Sequence, residues 1–199
     1  MAALERIQLA GQDGWTFIGG WIAIGVMLAL VAFVFVRLRI VGKEFVEAVK
    51  AQTGVEPKSF DFDFNGYSVE EARTRVRGYG EEGKKIYLEQ SIMRWDLFLP
   101  FAYGLLFIII TLQAAAIGGE NAWFWLLLGI PGLLAPTLDL LENYSVAKML
   151  TTDLDSGEVW DRWARAGSFF TVTKWIMVGL ATLIAVVMVA WALWVSFTQ

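Results

Sequence analysis

The sequence predicts an all-α integral membrane protein with four transmembrane helices and a mainly helical cytoplasmic segment between the first and second. Three observations carry this. Hydrophobic residues make up 57% of the 199 positions and charged residues only 18%, against about a quarter charged in a soluble domain. Four segments reach the roughly 20 apolar residues that a bilayer crossing needs. The basic residues are distributed very unevenly along the chain.

The spans are read at 15–36, 97–117, 122–142 and 175–197. The first carries no charge and runs directly into Arg37 and Arg39. It reads as a retained signal-anchor rather than a cleaved leader. Residues 1–14 form an outside tail and 118–121 an outside turn. Residues 37–96 form the cytoplasmic helical segment, and 143–174 a cytoplasmic connection with an amphipathic helix.

Of the sixteen Lys and Arg residues, eleven fall in 37–96 and four in 142–174; the remaining one is Arg6. The positive-inside rule therefore puts both termini outside and both long connections in the cytoplasm of a bacterial inner membrane. Trp15, Trp21, Trp123, Trp191 and Trp194 fall at the expected outer interface. Trp95 and Trp175 fall at the inner one, which completes an aromatic belt.

Within the first connection, Val41, Phe45, Val46 and Val49 recur at helical spacing. Gly54 and Pro57 end that helix. The stretch 59–66 alternates Phe with Asp and reads as a short strand or an extended segment, closed by the Asn65-Gly66 turn signal. Ser68 with Glu71 makes a capping box. The helix it opens is expected to stop near Arg77, where Gly78, Gly80 and Gly83 break it. A further helix from about Lys84 enters the second span. The third helix continues to about Leu150, and 151–157 is a polar break. Residues 158–166, with Trp160 and Trp163 among charges, read as an interfacial helix ended by Gly167.

The absent residue types narrow the chemistry. There is no Cys and no His, which removes thiol nucleophiles, disulfides, Cys-ligated metal, the usual haem ligand and the commonest general base. The net charge of −4 gives no electrostatic footprint for nucleic acid. No cofactor is expected. The partners expected are the lipid bilayer and other membrane protein subunits.

One run inside the membrane is polar. Asp139, Glu142 and Asn143 lie at i, i+3 and i+4, on one helical face, with Pro136 a turn earlier. The topology brings Arg94 and Asp96, at the start of helix 2, and Lys174, at the start of helix 4, to the same depth. Tyr103 shares the face of Asp96. The favoured reading is an ion-pair clasp, because acids buried without partners would cost several kcal/mol. The rival is a polar site for a headgroup, a cation or a proton. A second motif, Asp61-Phe-Asp63-Phe-Asn65-Gly66, matches the start of an EF-hand loop. Ala72 occupies the position that needs a bidentate Glu, so a capped turn accounts for it better than Ca²⁺ binding.

Three stretches, GYSVEEA (66–72), GEEGKKIY leading to DLFLPFAY (80–87 and 96–103) and DLLEN (139–143), together resemble a family of small bacterial four-span integral membrane proteins with no assigned activity. The resemblance covers roughly 60–150. It implies the four-span fold, draws attention to Asp96, Tyr103, Asp139, Glu142 and Asn143, and implies no reaction.

The function expected from the sequence is a non-enzymatic accessory or assembly subunit, or a scaffold. The alternative is an intramembrane lipid-headgroup or cation site built from the carboxylates of helices 2 and 3. A transporter is disfavoured, because the two pairs of spans show no repeat.

Overall fold

A computed structural model describes the backbone of residues 2–61, 63–118 and 122–198, and the side chains of 18–61, 63–117 and 123–195. The Trp15 side chain and residues 119–121 of the outer turn lie outside these. The described residues form helices only: α1 (Ala2–Thr53), α2 (Val69–Lys85), a π-helical segment (Ile86–Asp96), α3 (Phe98–Gly118), α4 (Ala122–Leu128), α5 (Ile130–Thr151) and α6 (Glu158–Thr198). Four helical stretches among them are long and apolar enough to cross a membrane. The protein is an all-α, multi-pass membrane bundle.

The helix α3 is central and touches α1, α4, α5 and α6. It can approach α5 closely because Gly104 has no side chain: a Cβ there would sit 2.9 Å from the Pro136 ring. The longest interface joins α5 to α6. The helix α1 leans on α3 and on the π segment, and among the described residues it makes no extended interface with α6.

There are two apolar cores. The membrane core gathers Ile24 and Met27 of α1, Leu106 and Ile110 of α3, Trp125 of α4 and Met188 of α6. The second core joins both long connections: Phe45 and Val49 at the end of α1, Phe60 and Tyr67 in the loop, Val76 and Tyr79 of α2, Met149 of α5 and Trp160 of α6. Its aromatic rings meet edge-on, with Phe45 and Tyr79 centroids 4.9 Å apart, a geometry that adds to plain area burial. A polar layer separates the two cores.

Several local expectations stand corrected. No strand occurs at 59–66 among the described residues; Phe60 is buried there and Gly66 turns the chain at φ +72°. The capping box is present: the Ser68 hydroxyl accepts from the Glu71 N–H, and the Glu71 carboxylate accepts from the Ser68 N–H at 2.7 Å. The helix it opens ends close to Arg77 as expected: Gly80 (φ +62°, ψ −179°) is non-helical and separates it from the helix that follows, while Gly78 and Gly83 are themselves helical. The third span is divided at Gly129 into α4 and α5.

The helix expected to end at Gly167 instead continues through it as α6. Trp160 is not interfacial. It is fully buried, donates its indole N–H to the Met149 carbonyl at 3.0 Å and lies under the Arg73 guanidinium. An amphipathic pattern next to a membrane has two solutions, lipid and a protein core, and here the protein core wins.

Candidate functional site

The polar layer begins on α5. Asp139, Glu142 and Asn143 are all buried, on the face predicted by their spacing. The helix α6 brings Lys174 to them. Its ammonium lies 3.0 Å from Asp139 Oδ1 and in contact with Glu142 Oε2. Three residues earlier on the same face, Thr171 donates its hydroxyl to Glu142 Oε1 at 2.7 Å. From α3, Tyr103 donates to Asp139 Oδ2 at 2.9 Å. Asn143 donates its amide to the backbone carbonyl of Asp96 at 3.4 Å.

The π segment decides what faces this layer. Its register is visible at the Leu97 N–H, which donates to the carbonyl five residues back, Ile92, at 3.0 Å. Tyr87, Ser91 and Asp96 are all buried and line one groove. In an α-helix the nine steps from Tyr87 to Asp96 would make about two and a half turns and put the two on opposite sides. The wider i→i−5 winding returns residues four and five apart to one face. Such segments are rare and often mark functional sites.

The loop supplies Asp61. Its Oδ2 accepts from the Tyr87 hydroxyl at 2.9 Å, and its carbonyl accepts from the Trp175 indole at 3.0 Å. Burial pushes the Asp61 carboxyl above its usual range; Lys174 and the Tyr87 hydrogen bond pull the other way and do not prevail.

These groups stand at one end of a groove of about 1390 Å³ between α1 and α6. Asp61, Tyr87, Asp96, Tyr103, Asp139 and Lys174 all reach it. Further along, its walls are hydrocarbon, including Ile24, Leu28, Val31, Leu106, Val186 and Leu193. Arg39 and Lys43 also line it, on α1. Asp96 is only 7% exposed, yet its carboxylate accepts no hydrogen bond among the described residues.

The sequence-derived candidates thus divide. Asp96, Tyr103, Asp139, Glu142, Asn143 and Lys174 come together. Arg94 does not: it is exposed, and its guanidinium lies 5.8 Å from the centre of the Trp95 ring, which Arg37 also faces at 4.8 Å. An Arg at the start of helix 2 has a long stem, and here it turns outward to the aromatic ring rather than inward to the acids.

Asp61, Asp63 and Asn65 do not converge on a cation. Asp63 pairs with Arg75 at 2.5 Å and Lys58 at 3.0 Å, Asn65 is exposed, and Asp61 belongs to the polar layer. Among the described residues, no three acids are placed to hold a metal ion. Asp61, Tyr87, Ser91, Thr171 and Trp175 had not been singled out as members of this site. Thr171 was findable, since it lies i−3 from Lys174; the others reach the site only through loop placement and the π register.

Compared with known proteins, the chain matches no family model, no curated protein and no solved structure.

Proposed function

We propose that this is a multi-pass protein of a bacterial inner membrane that takes an amphiphile from the bilayer into the groove between α1 and α6. Its polar head would sit at the acid layer and its chain along the apolar walls. One observation carries the reading: the groove combines hydrocarbon walls with a carboxylate, Asp96, that is buried and unpaired. A lateral opening in a bilayer fills with hydrocarbon by default. Ionisable groups within membrane segments mark function by default. The basic-residue asymmetry supports an orientation with both termini outside and residues 37–96 and 143–174 cytoplasmic, so the head would enter from the cytoplasmic leaflet. The absence of His and Cys favours binding over catalysis.

The test is retention of lipid. Protein extracted into native-lipid discs should carry a stoichiometric amphiphile by mass spectrometry. Gly25→Phe should remove it without lowering thermal stability, since Gly25 lines the groove and nothing lies within 4 Å of the position its Cβ would take. Equal lipid content in both proteins would refute the reading.

A second reading, an accessory or assembly subunit, is supported by α1. Gly25 and Ala29 have small-xxx-small spacing and are exposed rather than packed within the chain. A protein partner recovered at fixed stoichiometry, and lost in Ala29→Leu, would favour it.

A further inference from the structure

We propose that the amphiphile held by the groove carries a protonated amine, seated between Asp96 and Asp61; the inference rests on the groove reading above. Among the described residues, the polar layer holds four carboxylates, Asp61, Asp96, Asp139 and Glu142, and one cation in contact with any of them, Lys174. Lys174 is already committed to Asp139 and Glu142. Among the described residues, the Asp61 carboxylate accepts a hydrogen bond only through Oδ2, from Tyr87, which leaves Oδ1 free. Asp96 keeps both. These are the two acids that most need a counter-charge, and both reach the groove.

The chemistry of the surroundings selects the ligand. An anionic head would be repelled by the acids. A neutral hydroxyl would leave two carboxylates short of positive charge in a site shielded from water. A bare metal ion finds no three-acid arrangement among the described residues. An ammonium supplies three donors and one positive charge. Tyr87, Tyr103 and Trp175 border the groove, and the Lys174 ammonium already lies 5.4 Å from the centre of the Trp175 ring, so an aromatic surface suited to a cation is present. The apolar walls then require that the amine carry a long hydrocarbon chain. Two sources share this chemistry: an aminophospholipid of the bilayer, whose phosphate would meet Arg39 and Lys43 on the groove wall, and a hydrophobic amine taken from solution.

The experiment uses the full chain in phosphatidylcholine nanodiscs. A brominated 16-carbon amine and the matching brominated alcohol are titrated, and quenching of tryptophan fluorescence is read, with Gly25→Phe as the background. The amine should bind about tenfold or more tightly than the alcohol. Asp96→Asn should reduce that preference to about twofold or less. Asp61→Asn should reduce it in part, which keeps the test intact if one variant misfolds. Competition by phosphatidylethanolamine in the disc identifies the lipid source; amine preference unaffected by it identifies the soluble source. Equal binding of amine and alcohol, both lost in Gly25→Phe, would overturn the amine inference and leave the groove standing. No groove-dependent quenching by either probe would overturn the groove reading itself.

Discussion

Lys174 of α6 bonds Asp139 of α5, Nζ to Oδ1 at 3.0 Å, with both side chains almost sealed from solvent. The contact joins the two helices that share the longest interface, and it lies between the two apolar cores. Removing only the cation leaves Asp139 and Glu142 buried without compensation. Lys174→Met should lower stability by about 3–5 kcal/mol. The double variant Lys174→Met with Asp139→Asn should recover part of this. Thermal unfolding in detergent checks both. Full stability of the single variant would show that the acids are neutral without Lys174.

Tyr103→Phe removes one donor to Asp139 while keeping the ring. The expected loss is about 1–2 kcal/mol, the range for a hydrogen bond to a charged acceptor at the low end. The same detergent melts measure it. No loss would mean that the carboxylate finds another donor on the groove side.

Asp63 should make stability pH-dependent. Burial alone would raise its carboxyl, but hydrogen bonds and charge from Arg75 and Lys58 outweigh that and hold it below the usual range. A group depressed in the folded state stabilises above its unfolded value, about 3.9, and loses that contribution as pH falls through its folded value. Asp63→Asn should therefore cost about 1–3 kcal/mol at neutral pH. The gap between variant and parent should close as pH drops below about 4. Parallel denaturation curves at each pH measure it, and a gap that stays constant would contradict the ion-pair account.

Arg94→Ala should change stability by under about 1 kcal/mol, the scale of an exposed cation–ring contact, and should leave amphiphile retention unchanged. A large loss of either would return Arg94 to the acid layer from which the structure separates it.

Gly80→Ala should destabilise by about 1–3 kcal/mol, because φ +62° with ψ −179° is a backbone region nearly restricted to glycine. Gly78→Ala, at a helical position with open space around it, should be neutral or mildly stabilising. Comparing the two melts separates a true kink from mere glycine content.

Much of the architecture is legible in the amino-acid sequence. Apolar runs of fixed length, the C-terminal end of α5 and the start of α6, and the Ser68–Glu71 cap follow from local physics: hydrocarbon thickness, backbone hydrogen bonding and side-chain reach. So does the shared face of Asp139, Glu142 and Asn143, since helical period fixes it within a few residues. Lys174 as their neighbour follows from its depth along an antiparallel helix.

The remainder depended on tertiary structure. Trp160 could have met lipid or protein with the same amphipathic pattern, and only the surface formed by Phe60, Tyr79 and Met149 decided for protein. Asp61 lies 114 residues from its Trp175 partner, in a segment with no periodic pattern to constrain it. Asp96 and Tyr87 share a face only because the helix widens to a π register, which no residue count at 3.6 per turn reproduces. The sequence alone therefore determined the helices, their membrane character and the carboxylates on α5. Whether those carboxylates form a closed clasp or also border an open groove was decided by the spacing of α1 from α6, helices that share no extended interface among the described residues, so that no local pattern in the chain records their separation.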